Sequence, residues 1–127
     1  MTKGKYVITL DKKNHIVHVV VQGDLVKELG KEIITKARVT AAEHQYFILY
    51  DVTHVKINAS LVDWFFLPRT LPVYRNNKTR QIKTALLISP GNQEREYNFY
   101  ETVTHNLGIN LRVFLNETEA IEWLKGD

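Results

Sequence analysis

The sequence predicts an α/β fold: a mostly parallel five-stranded sheet that starts with an antiparallel hairpin and carries four helices. Three observations lead there. Two strand-like segments joined by a polar turn open the chain. After them, apolar runs alternate strictly with segments of helical spacing, the pattern of parallel strands joined by right-handed crossovers. Each of the four helical segments opens on a residue suited to capping it. A length of 127 residues fits one domain spanning 1–127.

The elements follow in order. Tyr6, Ile8 and Leu10 alternate with Val7 and Thr9, the period-two signature of a strand. Asp11-Lys12-Lys13-Asn14 is a polar turn, and Ile16 to Val21 is a second, β-branched strand, so the two pair as a hairpin. Gly23-Asp24 ends that strand, with Asp24 placed to cap a helix whose apolar stripe is Val26, Leu29, Ile33 and Ala37. Gly30 inside this helix costs about 1 kcal/mol relative to alanine, which marks a close packing contact. Tyr46 to Tyr50 is an uninterrupted apolar run, as in a strand buried on both faces. Ser60 with Asp63 makes a capping-box variant for a second helix, which Pro68 is expected to stop or kink near Leu67. Ile82 to Ile88 is a buried strand. Asn92 is expected to cap a third helix with inner stripe Phe99, Tyr100, Val103 and Leu107, and Gly108 suits its left-handed end. Leu111 to Leu115 is the last strand, and Asn116 with Glu119 opens the final helix.

Composition removes several functions. There is no cysteine, so thiol catalysis, disulfides and cysteinyl zinc sites are excluded. Met1-Thr2-Lys3-Gly4-Lys5 leads into the first strand without a signal-peptide core, and no run approaches the roughly 20 apolar residues of a membrane span. A cytoplasmic domain with no integral membrane segment is therefore the expectation. The net charge of +3 is unevenly placed: 64–93 hold five basic and no acidic residues, while 94–127 hold three basic and seven acidic. Within 64–93, the stretch Arg75-Asn76-Asn77-Lys78-Thr79-Arg80 has no aromatic residue, which argues against nucleic acid. Neither a His-Glu-x-x-His pattern, a calcium loop nor a glycine-rich phosphate loop is present, so no metal or cofactor is expected.

The element order, the ending Leu111-Arg112-Val113-Phe114-Leu115 through Ala120-Ile121-Glu122-Trp123-Leu124, the strand into Asp51 and the Ile82–Leu87 strand after a basic turn resemble the SpoIIAA-like group of STAS domains. The resemblance covers nearly the whole chain and implies a non-catalytic regulatory, scaffolding or ligand-sensing module. Comparison of some relatives with the CRAL–TRIO lipid-transfer fold adds an apolar ligand. Anti-anti-sigma members carry a phosphorylated serine in an Asp-Ser-(Ser/Thr)-Gly motif. Here the matching positions read Asn58, Ala59, Ser60 and Leu61, and Ala59 has no hydroxyl to phosphorylate. Ser60 is the remaining hydroxyl there, and its plain role is a helix cap.

Three site hypotheses follow. Trp64, Phe65, Phe66 and Leu67 are consecutive, so on a helix they spread round more of the circumference than one sheet can cover. That leaves an apolar surface for a protein partner or for self-association as a homodimer. Alternatively, a small apolar or lipid-like ligand is held between that helix and the third, near Phe99 and Tyr100. The third hypothesis is an enzyme centred on Asp51 and His54 just past the third strand, where open α/β sheets tend to bind ligands. No nucleophile or second carboxylate lies near them in sequence.

Overall fold

The computed structural model describes residues 3–126; Met1 and Thr2 of the opening stretch, and Asp127, lie outside them. The strands are β1 (Lys5–Asp11), β2 (Ile16–Leu25), β3 (Phe47–Ile57), β4 (Thr84–Leu87) and β5 (Leu111–Phe114). The helices are α1 (Lys27–His44), α2 (Leu61–Thr70), α3 (Asn77–Gln81), α4 (Glu94–Asn106) and α5 (Glu117–Lys125), with a 3-10 turn at Pro72–Arg75. The sheet runs β1-β2-β3-β4-β5, with β1 antiparallel to β2 and every later pair parallel. The expected class holds, with five α-helices in place of four. The added α3 forms in the basic stretch, where the Asn76 side chain accepts from the amide of Lys78 at 2.8 Å.

Strand order equals chain order, so all three parallel crossovers step the same way. Right-handed crossovers stepping one way put their helices on one side. Accordingly, residues of α1, α2 and α4 share one large core with Val19, Val21, Ile48, Tyr50, Val52 and Leu86 of the sheet. On the opposite face α5 stands alone, closing Ala120 and Leu124 over Ile16, Leu49, Ala85 and Leu87. The second helix packs against α4 and α1, forming an outer layer of the crowded side.

Several boundaries differ from expectation, each for a local reason. Strand β2 runs on to Leu25, passing Gly23 at φ +83°, where an added Cβ would stand 2.7 Å from the Lys3 carbonyl oxygen. Asp24 is therefore inside the strand, and Val26 takes the N-cap of α1. Strand β3 also continues, to Ile57, because β2 extends beside it. Its partner β4 covers only Ile48 to Asp51. Beyond that, the exposed edge of β3 is paired by side chains: Ser89 Oγ donates to the Thr53 carbonyl, Asn92 Nδ2 to the Val55 carbonyl, and Gln93 Oε1 accepts from the Ile57 amide at 2.7 Å. Asn92 is thus used as an edge clasp, and α4 starts at Glu94 after Gln93 at φ +55°. Pro68 does not end α2. Arg69 Nη1 and Thr70 Oγ1 donate to the Phe65 and Phe66 carbonyls, and the helix reaches Thr70.

Candidate functional site

The helical face of the sheet holds a partly open cavity of about 70 Å³. One water needs about 10–15 Å³ by this measure, so the space suits a slender organic group. Its floor is Val21, Tyr50, Val52 and Leu86 of the sheet, one wall is Gly30, Ile33 and Ile34 of α1, and Trp64 of α2 with Tyr97 and Tyr100 of α4 roof it. The expected close contact at Gly30 is present: an added Cβ would lie 3.3 Å from the Trp64 ring. Trp64 meets Tyr100 edge to face, with centroids 5.8 Å apart at 80°. Glycine at position 30 thus lets α2 and α1 approach while the indole bridges to α4.

The lining is apolar except at a few points. The hydroxyls of Tyr50, Tyr97 and Tyr100 and the indole nitrogen of Trp64 are buried and have no hydrogen-bond partner among the described residues. Each such group loses its hydration on folding, at about 1–3 kcal/mol apiece. Burial raises the pKa of all three tyrosines, so they stay protonated and available as donors.

Further along α1, on the same face of the sheet, lies Arg38, which is 0% exposed. Its Nη1 donates to the Thr79 carbonyl at 2.7 Å and its Nη2 to Thr84 Oγ1 at 2.9 Å, both neutral partners, while Nε has none. The guanidinium lies 4.7 Å from the centroid of the Tyr74 ring. Burial works against its charge, but Tyr74, Tyr50 and Tyr100 oppose that and the net shift favours the cation. Among the described residues no carboxylate lies within ion-pair distance of it; the ion pairs present, Lys31–Glu28 and Lys36–Glu32, are exposed pairs along α1.

The aromatic segment of α2 divides in two. Trp64 and Leu67 face inward, 7% and 1% exposed, whereas Phe66 is 55% exposed and Phe65 is half-buried beneath Arg69, whose guanidinium carbon is 3.7 Å from the ring centroid. Leu61 and Val62 join Phe66 as exposed apolar side chains on the same helix. On α4, Tyr100 is buried but Phe99 is only half-buried. Tyr97, three residues before Tyr100, lines the cavity where the expected stripe had Phe99.

The polar candidates lie elsewhere. Asp51 and His54 are within β3, not past its end, because the strand continues to Ile57. Thr53 links them: its Oγ1 donates to Asp51 Oδ1 at 2.7 Å and lies 3.1 Å from His54 Nδ1. Asp51 thereby caps the backbone of its own strand, also accepting from the Thr53 amide, and His54 is exposed. The strand order never reverses, so the sheet has no switch-point crevice at their position. Ser60 accepts from the Asp63 amide at 3.1 Å while Asp63 accepts from the Ser60 amide, a complete capping box. Among the described residues no group of three or more His, Asp and Glu is arranged to hold a metal, and no helix is long and apolar enough to cross a membrane.

The sequence reading missed Arg38, Tyr50, Tyr74 and Tyr97. A signal for Arg38 existed: Ile34, Arg38 and Ala41 are spaced four and three apart, which puts a cation on the buried stripe.

The hairpin followed by one-way parallel crossovers and a lone terminal helix is the SpoIIAA-like α/β arrangement. Among solved structures, the chain is similar over 98% of its length to 98% of an uncharacterised protein of the DUF3478 family with a SpoIIAA-like fold, from Shewanella loihica PV-4, at a TM-score of 0.55 and 18% sequence identity. At that identity the likeness establishes the fold. No family model and no curated protein matches the chain.

Proposed function

We propose that this protein is a non-catalytic STAS-type binding module that holds a small apolar ligand in the cavity beneath α2. The observation that carries the reading is that cavity, an apolar space of about 70 Å³ between α1, α2, α4 and the sheet. Native interiors pack to crystal-like density, so an apolar space several times the size of a water is unusual in so small a chain. Trp64 and Tyr100 bound this space, and Tyr97 stands beside them where Phe99 was expected. Straight-chain primary alcohols of four to ten carbons, titrated by calorimetry, test it. Saturable one-to-one binding is expected, weakened by Val52→Leu, which fills the space, and unaffected by Phe66→Asp on the outer surface. Absence of binding, or binding that only Phe66→Asp disturbs, would overturn it.

A second reading concerns the outside of the same helix. Val62 and Phe66, 62% and 55% exposed, stand beside Leu61 and Arg69, an apolar strip with the aromatic-plus-arginine character of interface hot spots. A protein partner or a second copy of the chain would be held there. Phe66→Asp would then shift the sedimentation coefficient or abolish a captured partner; a folded variant with neither change would remove this reading.

A further inference from the structure

The ligand reading leaves the chemistry of the guest open, and the polar atoms of the cavity lining narrow it. Resting on that reading, we infer that the site selects an apolar monocarboxylate, its tail against Trp64, Val52 and Ile33 and its carboxylate accepting from the hydroxyls of Tyr50 and Tyr100 in the field of Arg38.

The inference stands on unbalanced charge. Arg38 is fully buried, its hydrogen bonds go to a carbonyl and a hydroxyl, and its Nε is unpartnered. An ion moved from water into a protein interior is strongly destabilising unless a counter-charge accompanies it. The ring of Tyr74 beneath the guanidinium compensates only in part, because a cation–π contact is weaker than an ion pair. The tyrosines cannot supply the negative charge themselves, since burial keeps Tyr50 and Tyr100 protonated.

Protonated phenols are donors; Tyr50 has no partner among the described residues, and Tyr100 has only the Tyr74 side chain nearby, beyond hydrogen-bond geometry. Both line the cavity, as does Tyr74, whose ring centroid lies 4.7 Å from the Arg38 guanidinium. The cavity therefore offers two O–H donors without partners and a cation stacked on a third lining tyrosine, an arrangement that favours an anionic acceptor. The rest of the lining is hydrocarbon and indole, which asks for an apolar body. Glu96, the acidic residue of the lining, acts on Tyr97 instead of on this pair.

The test compares straight-chain carboxylates of four to ten carbons with the primary alcohols of equal length at neutral pH, by calorimetry. The carboxylate is expected to bind on the order of tenfold more tightly than its alcohol, the scale of one charge-assisted hydrogen bond. Tyr50→Phe and Tyr100→Phe are each expected to lower the ratio of carboxylate to alcohol affinity severalfold, and Arg38→Met to bring it to about one. The tyrosine variants keep the ring and lose only an unpartnered hydroxyl, so they should melt at or above the wild-type temperature, which guards against misreading an unfolded protein. Equal binding of acid and alcohol would overturn the carboxylate inference and leave the cavity reading standing. Failure of both series would remove both. A carboxylate preference that survives Tyr50→Phe, Tyr100→Phe and Arg38→Met would place the charge recognition elsewhere and overturn the inference.

Discussion

The two faces of the sheet solve the same burial problem differently. On the α5 face one helix lays Ala120 and Leu124, both fully buried, onto Ile16, Leu49, Ala85 and Leu87, a small contact made of hydrocarbon. On the other face three crossovers deliver more helix than the sheet can seat, so α2 is lifted onto α1 and α4, and a space remains under Trp64. The difference teaches that one-way crossovers concentrate helices, and that a surplus helix can roof a cavity instead of packing flat. Most of the buried polar atoms without partners lie on the roofed side, Arg38 Nε and the hydroxyls of Tyr50, Tyr97 and Tyr100 among them, while His18 Nε2 on β2 is one on the other face.

The contrast can be broken by substitution. The largest effect is expected from Leu124→Ala on the tight face, where a buried leucine leaves a new void; urea unfolding should show a loss of about 2–5 kcal/mol. A loss below that range would mean that α5 is not closely packed. Adding volume comes next. Ala85→Val on the tight face should destabilise by about 1–3 kcal/mol through overpacking, whereas Val52→Leu on the roofed face should be neutral or stabilising. Equal penalties for the two would erase the distinction between the faces. Tyr97→Phe is expected to change stability by no more than about 1 kcal/mol, and upward, since it deletes a buried hydroxyl that has no partner.

The smallest signal at neutral pH is electrostatic and emerges only in alkali. Tyr50, Tyr97 and Tyr100 have folded pKa values raised above the ordinary 10.0, chiefly by burial. Between the unfolded and folded values the folded state binds more protons, so stability is unaffected below about pH 10 and falls as pH rises beyond it. Ultraviolet titration should therefore show these three of the six tyrosines ionising only together with unfolding. Reversible ionisation of all six in the folded protein would contradict their burial.

Much of this fold was legible in the sequence because local signals agreed with tertiary ones. The Ser60–Asp63 box and the Asn116 cap onto Glu119 formed as their spacing dictates, and Gly30 marks the approach of Trp64. What escaped depended on partners distant in sequence. Asn92 has a cap residue's chemistry, yet the uncovered edge of β3 needed its amide more. Asp51 and His54 looked like strand-end groups until β2, continuing past Gly23, carried β3 along with it. The aromatic run on α2 did exceed what one sheet can hide, but it is split: Trp64 and Leu67 turned in, Phe66 out. The buried Arg38 and the tyrosines near it were the least visible, since Arg38, Tyr50, Tyr74 and Tyr100 come from four separate segments that only the fold assembles.

The inner and outer surfaces of α2 compete as the working surface, and nuclear Overhauser contacts from bound 1-hexanol decide between them. Cross-peaks are expected from the alkyl protons to the Trp64 indole and the Tyr100 ring. Cross-peaks confined to Val62 and Phe66 would show that the guest rides on the outside of the helix, and the cavity beneath it would lose its role.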